Sequence, residues 1–384
     1  PSYNDEGTGT TGWTNTNGTI SQPDATTVRV TQVTTGSITR LSRAVTQPIS
    51  GKDFVLYAKV RARARSGDVQ IVQIIGAGSL RLHVYLNYNT VTSANTLGTI
   101  SLRYTNGAGT NSNAVAATGV DTETTWVEFA MCMNATFNTL SLHFRESGGT
   151  WKFGCHVLGS NFNGDLAIAT NNSSVGSGWI EFDYLTYTSP DIIAIGDSIT
   201  QGATLFSPQQ TAGLNNGDST WQRWAAIYTN ERNNLIVNKG VGGNTSAMVA
   251  ARIAADATSH GPKIVFLGAC NNDYGASISQ AARTSNAQSS IDLVNAAGAK
   301  CVLFNALYNT AAHPSSPGSR DYYSLWWREY RGTLTGLRGQ INPMVALGDA
   351  AGYLDAAYAQ ADNVHPNVTG YTRYGKYMAG KKYT

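Results

Sequence analysis

Hydrophobic and polar positions follow two different rhythms along the chain. Up to about residue 188 the period is two. In "FVLYAKVRARAR", Leu56, Ala58, Val60, Ala62 and Ala64 fall on one face and Tyr57, Lys59, Arg61, Arg63 and Arg65 on the other, the pattern of a half-buried antiparallel strand. "LRLHVYLNY", "WVEFAMCM", "LSLHFRE" and "WIEFDYLTY" read the same way, separated by turn-rich pieces such as "TNGAGTNSN" and "NNSSVGSG". No long helix is legible there, and the region is expected to be an all-β sandwich of jelly-roll or lectin-like type.

After Ser189 and Pro190 the rhythm changes. The short aliphatic runs "DIIAIG", "NLIVNKG", "KIVFLGA", "AKCVLFNA" and "NPMVALG" alternate with segments of helical length: "STWQRWAAIYTNERN", "TSAMVAARIAADAT", "SISQAARTSNAQSSIDLVNAAG" and "RDYYSLWWREYRGTLTGLRG". Buried strands alternating with helices make βαβ units and a parallel sheet covered on both faces. The expected organisation is therefore a β-sandwich over residues 1–188 and an α/β domain over 189–384. The junction "LTYTSPDIIAIG" leaves almost no linker, which predicts rigid docking of the two.

Composition narrows the class of partner. Charged residues make up 13% of the 384, about half the usual share, so Thr, Ser, Asn and Gly must cover much of the surface. That leaning is towards an extracellular protein, secreted or carried on a virion such as a phage tail. A net charge of +3 without a basic block gives no electrostatic case for nucleic acid or an anionic membrane. No apolar run reaches the roughly 18 residues that span a bilayer, and "PSYNDEGTGT" lacks the pattern of a signal peptide. Cys132, Cys155, Cys270 and Cys301 are too sparse for a disulfide framework and lack metal-site spacing, so all four are expected as free thiols. Oligomeric state is not legible.

In a parallel α/β sheet the ligand site lies beyond the carboxyl ends of the strands. The residues following the runs are Gly196, Asp197 and Ser198; the glycines of "NKGVGGNTS"; Asn271, Asn272 and Asp273; and, near the C-terminus, "ADNVHPN" with Asp362 three residues before His365. This is the inventory for acyl transfer through a serine. A hydroxyl needs an imidazole to take its proton, and the imidazole needs a carboxylate to fix its tautomer. The oxyanion that forms needs pre-placed donors, for which the amides of Ser198 and Gly243 and the side chain of Asn272 are candidates. The chemistry requires neither metal nor cofactor.

"GDSIT", "NKGVGGNT", "NND" and "DNVHPN", in this order, resemble the sequence blocks of the SGNH hydrolases, also called GDSL esterases/lipases, over residue 191 to the end. The resemblance implies a three-layer α/β/α fold, with Ser198 as nucleophile, Asp362 and His365 completing the triad, and Ser198, Gly243 and Asn272 forming the oxyanion hole. One departure stands out: Cys270 occupies the position of a family glycine. The spacing from Pro262, where such strands often start, favours Asn272 over Asn271 as the oxyanion residue, and a bulkier Cys270 beside the hole would narrow the acyl pocket.

The remaining candidates have plainer readings. Asp197 is expected to anchor the turn through backbone amides rather than to act in the triad. His313 reads as a loop residue, His83, His143 and His156 as structural, and Tyr322, Tyr323, Trp326, Trp327 and Tyr330 mostly as core. The glycines of "NKGVGGNTS" lack the Gly-x-Gly-x-x-Gly spacing of a dinucleotide site, with Thr245 where the third would fall, and the Gly-x-Ser-x-Gly elbow is missing. Trp13, Trp126, Trp151 and Trp179 are candidates for stacking sugars if the sandwich binds carbohydrate. The expected activity is removal of short acyl groups, chiefly O-acetyl, from an acylated carbohydrate or polysaccharide. The alternatives are a lipase or thioesterase of broader specificity, and a carbohydrate-binding protein with an inactive hydrolase domain.

Overall fold

A computed structural model describes residues 18–32, 53–63, 124–134, 139–149, 179–202, 222, 225, 236–268, 270–316 and 318–380, together with the further N-terminal strands given below. Residue contacts divide the chain into two units, one built on residues 1–189 and the other on 190–207 and 216–384.

The N-terminal unit consists of two antiparallel sheets, as the period-two pattern requires. One is eight-stranded and runs Lys152–Val157, Thr139–Glu146, Val127–Asn134, Phe54–Arg63, Trp179–Thr188, Thr27–Gln32 and Gly18–Asp24, with Tyr3–Asp5 also paired to Trp179–Thr188. The other has seven strands in the order Asn111–Asp121, Leu97–Thr105, Arg81–Tyr88, Gly67–Ile75, Asp165–Asn172, Thr39–Pro48 and Thr14–Thr16. Along Phe54–Arg63 the residues Leu56, Ala58, Val60 and Ala62 are fully buried, while Lys59 and Arg61 alternate with them on the other face. Ala64 and Arg65 lie outside the described residues.

That charged face has its own order. Arg29 and Arg61 both pair with the buried carboxylate of Glu181, and Lys59 pairs with Asp183. The Arg61 guanidinium stands 4.9 Å from the Trp126 ring centre, and that of Arg29 4.8 Å from Trp179. Each described tryptophan thus has a cation over one ring face, where cation–π attraction acts. Trp13 and Trp151 fall outside the described residues, as do the side chains of His83, His143 and His156.

The C-terminal unit is built on a five-stranded parallel sheet, whose strands are numbered within the unit: β1 (Ile192–Gly196), β2 (Ile236–Gly240), β3 (Ile264–Gly268), β4 (Lys300–Phe304) and β5 (Leu337–Ile341). Their order is β2-β1-β3-β4-β5. The chain leaves β1 towards one edge of the sheet and β3 towards the other, and a crevice forms at the carboxyl ends of strands at such a switch point. Helices with described bounds are α1 (Ser198–Gln201), α2 (Ser246–Asp256), α3 (Gln280–Ala296), α4 (Gly318–Leu325), α5 (Met344–Leu347) and α6 (Val368–Ala379). One face of the sheet packs Ala194, Phe266, Val302 and Phe304 against Tyr371, Tyr374 and Met378 of α6.

Two readings need correction and one lies largely out of view. "NPMVALG" is not a strand: Met344–Leu347 forms the short helix α5, and the fifth strand is Leu337–Ile341, inside the segment expected to be helical. Pro343, at φ −64° with no amide hydrogen to give a ladder, starts a helix more readily than it extends a strand. The helix of "RDYYSLWWREYRGTLTGLRG" accordingly stops early, passing from α4 into a π-helical turn over Trp326–Tyr330. Of "STWQRWAAIYTNERN" only Gln222 and Ala225 are described, and both are helical. Cys132, Cys270 and Cys301 are buried thiols, and burial pushes that of Cys301 up to about 12; the side chain of Cys155 lies outside the described residues.

Candidate active site

β1 is apolar and fully buried, and it ends where Asp197 caps α1. Asp197 Oδ1 accepts from Ile199 N–H at 2.9 Å, and Oδ2 accepts from the Asn271 amide. Burial pushes this carboxyl up, opposed by those two amides. Asp197 therefore ties the end of β1 to the loop after β3, the anchoring part the sequence suggested. This sharp cap leaves Ser198 at the first position of α1, where backbone N–H groups have no helical acceptor.

The loop after β2 is pinned onto α1. A side chain at Gly240 would begin 2.1 Å from the Gln201 backbone nitrogen, so only glycine permits the approach. Gln201 Oε1 then accepts from Gly242 N–H at 2.7 Å, and its carbonyl accepts from the Asn238 side chain at 3.2 Å. Gly243 turns through φ +79° with nothing within 4 Å of a notional Cβ. Among the described residues neither the Ser198 amide nor the Gly243 amide has an intramolecular acceptor.

Asn271 and Asn272 have different surroundings. The Asn271 side chain bonds the Leu307 backbone twice, receiving N–H on Oδ1 at 3.2 Å and donating from Nδ2 to the carbonyl; its own carbonyl accepts from Tyr323 Oη. Asn272 Nδ2 donates to the carbonyl of Asn244, beside Gly243, at 2.9 Å, leaving its second N–H for another acceptor. Cys270 has φ +22°, which explains why a glycine suits this position. Its buried thiol turns back towards the Gly268 carbonyl at 3.6 Å.

From the far end of the chain, the loop before α6 brings His365 to Ser198. His365 Nε2 lies 2.8 Å from Ser198 Oγ, and Nδ1 lies 2.6 Å from Asp362 Oδ2. Asp362 Oδ1 accepts from the amides of His365 and Val364, each at 3.0 Å. Burial pushes the Asp362 carboxyl up, but those amides and the imidazole outweigh it and hold the carboxyl below its ordinary value. An ionised carboxylate only accepts, so Nδ1 carries the proton and neutral Nε2 is free to accept from the serine hydroxyl. Thr310 fixes the loop by two bonds to Asn363, from N–H to the carbonyl and from Oγ1 to Oδ1, both 2.9 Å.

Of three supporting residues, Arg252 and Arg283 had no clear sequence signal, and Asp273 was marked only by its place after β3. Arg252 of α2 donates to the Gly196 carbonyl, Asn244 Oδ1 and Asp256 Oδ2 at 2.7–2.8 Å, joining the ends of β1 and the β2 loop. Asp273 and Arg283 form a buried pair at 3.1 Å, and Asp273 also accepts from Ser246 N–H at 2.7 Å. Arg283 is enclosed by the rings of Tyr322, Tyr323 and Trp326, which is the use of most of the aromatic run. His313 is engaged locally, its Nδ1 accepting from Ser315 N–H at 3.1 Å.

Comparison with known proteins adds the following. Residues 194–373 match the family model for GDSL-like lipases/acylhydrolases. No curated protein matches the chain. Similar solved structures include a protein described as lipolytic and of the G-D-S-L family from Desulfitobacterium hafniense (18% identity, 50% of this chain and 98% of that one, TM-score 0.41). Others are a G-D-S-L lipolytic family member from Veillonella parvula (20%, 50% and 97%, 0.40) and the acetylxylan esterase Axe2 of Geobacillus stearothermophilus (17%, 51% and 96%, 0.40).

Proposed function

From the match of residues 194–373 to the GDSL-like lipase/acylhydrolase family model we propose that the protein is a serine esterase that removes short acyl groups, chiefly O-acetyl, from a polysaccharide. The observation that carries this reading is the chain of hydrogen bonds Ser198–His365–Asp362 beside unpaired amide donors. Ser198 Oγ attacks the ester carbonyl as its proton passes to His365 Nε2. The oxyanion receives N–H groups from Ser198, Gly243 and Asn272, each worth roughly 2.7–4 kcal/mol in comparable sites. Collapse expels the alcohol with the proton from His365, and a water activated by the same imidazole then frees the acid from the acyl-enzyme.

Several features favour a small acyl group on a bulky alcohol. Gly242 and Gly243 are exposed to solvent, so the Gly243 donor stands at an open surface that a polymer can approach. The Asn-, Thr- and Gly-rich composition and the fused β-sandwich support a glycan substrate and an extracellular or virion-borne setting. The sandwich then acts as a carbohydrate-binding module or as a spacer. A chain-length series of nitrophenyl esters tests the acyl preference. Highest kcat/KM is expected on the acetate; rates rising beyond about eight carbons would instead mark a lipase or thioesterase, because each buried CH₂ adds about 0.8 kcal/mol. Acetate release from acetylated polysaccharides identifies the polymer.

The two asparagines are separable by mutation. Asn272→Ala is expected to lower kcat on nitrophenyl acetate by about 10²–10³-fold with little change in KM. Asn271→Ala should instead act chiefly on stability, since its amide holds the Leu307 backbone. The reverse pattern would move the oxyanion role to Asn271.

A further inference from the structure

A second concave site opens at the same end of the sheet as Ser198. It is a cleft of about 480 Å³, within the usual size of small-ligand sites. One wall is Tyr308, four residues beyond β4; Arg320, Asp321, Ser324 and Arg328 come from α4 and its π-helical continuation, and Gly352 from the turn after α5. Leu307, adjacent to Tyr308, is the residue doubly bonded to the Asn271 side chain. The wall of this cleft is therefore continuous with the loop that carries Asn272.

The charges lining it do not cancel. Arg320 is committed: Nε and Nη2 donate to Asp321 Oδ1 at 3.0 and 2.8 Å, Nη1 reaches the Ala351 carbonyl at 3.4 Å, and the guanidinium lies 4.7 Å from the Tyr353 ring centre. Arg328 lines the same cleft and, among the described residues, has no hydrogen-bond or ion-pair partner. The lining thus holds one guanidinium in excess of its carboxylates. Asp321, with its side chain 64% exposed, still offers acceptor capacity to hydroxyl groups, and Gly352 leaves open space where a side chain would begin.

We propose that this cleft binds a carboxylate-bearing sugar residue, such as a uronate, of the acylated glycan. Arg328 holds the carboxylate, and Asp321 and Ser324 take ring hydroxyls. Guanidinium and carboxylate match as planar, bidentate partners. An acyl chain is disfavoured by the three charged side chains in the wall, and a phosphate dianion by the Asp321 carboxylate. The inference rests on the polysaccharide-esterase reading and names its substrate as an anionic glycan.

The test compares the full chain with its Arg328→Ala and Arg328→Lys variants on nitrophenyl acetate, acetylated polygalacturonate and acetylated glucomannan, a neutral glycan. Arg328→Ala is expected to raise KM on acetylated polygalacturonate about tenfold, the scale of one charge-assisted hydrogen bond. Its kcat, and turnover of the other two substrates, should stay unchanged. Lysine should restore part of the loss. Calorimetry with oligogalacturonate and the Ser198→Ala protein reads the cleft without catalysis, and adding Arg328→Ala should weaken that binding by a similar factor. Equal KM shifts on the charged and neutral glycans, or oligogalacturonate binding indifferent to Arg328, would overturn the proposal. Failure of the esterase reading looks different: the wild-type protein would not turn over nitrophenyl acetate.

Discussion

Ser198→Ala is expected to lower kcat on nitrophenyl acetate by about 10⁴–10⁶-fold while the thermal midpoint stays where it is. The chemical loss is large because the Ser198 hydroxyl is the group hydrogen-bonded to His365 Nε2, placed to give up its proton as it attacks the carbonyl. The stability effect is small because the turn is held by Asp197, Asn271 and Arg252 rather than by the serine hydroxyl. Residual rate from the amide donors should remain measurable, since those donors do not depend on the hydroxyl. A serine-directed fluorophosphonate should add one mass label to the wild-type protein and none to the variant. Equal rates for the two proteins would remove Ser198 from the chemistry and leave the chain as a glycan-binding protein with an inactive hydrolase domain.

Asp273→Ala carries the largest expected effect on stability. It strips the carboxylate from a guanidinium that is 1% exposed and also removes the acceptor of the Ser246 amide at the start of α2. Breaking one side of a buried ion pair costs about 3–5 kcal/mol, which for a unit of this size is a fall in the C-terminal unit's melting point on the order of 10 °C. Loss of esterase activity on heating reads that unit without interference from the sandwich. Arg283→Met combined with Asp273→Leu should recover part of the loss, because an apolar pair of similar volume leaves no bare charge behind. A melting point unchanged in Asp273→Ala would mean that the aromatic cage alone holds Arg283 and that the pair contributes nothing.

Some of this was legible because it is local. The step from period two to alternating aliphatic runs marked the change from antiparallel sheets to a parallel one, since each pattern reflects which faces of a strand are buried. Ser198, His365 and Asp362 could be picked out because each follows a strand or precedes a helix, and because their side-chain chemistry has few other uses in combination. The fifth strand was not legible: "LRGQI" is short and half-exposed at the sheet edge, whereas "MVAL" is more apolar and forms a helix behind Pro343. Apolarity reports burial and not conformation, and at an edge strand the two come apart. Cys270 is a subtler case. The sequence showed only that a residue other than glycine stands there; its positive φ and inward thiol follow from how β3 must turn towards Asp197.

The amino-acid sequence by itself determined the two fold classes, four of the five parallel strands and the set of groups able to carry acyl transfer, because strand periodicity, capping and functional-group chemistry act over a few residues. Only the tertiary structure decided what those groups do to one another. It brought His365 within 2.8 Å of Ser198 across 167 positions of chain, and it occupied the Asn271 side chain with backbone while leaving an N–H of Asn272 free. It also buried Arg283 with Asp273 and set Arg328 in the lining of a cleft, with no ion-pair partner among the described residues. Each of these depends on which loop ends share the carboxyl edge of the sheet, and that is set by strand order and packing over the whole unit rather than by any one segment.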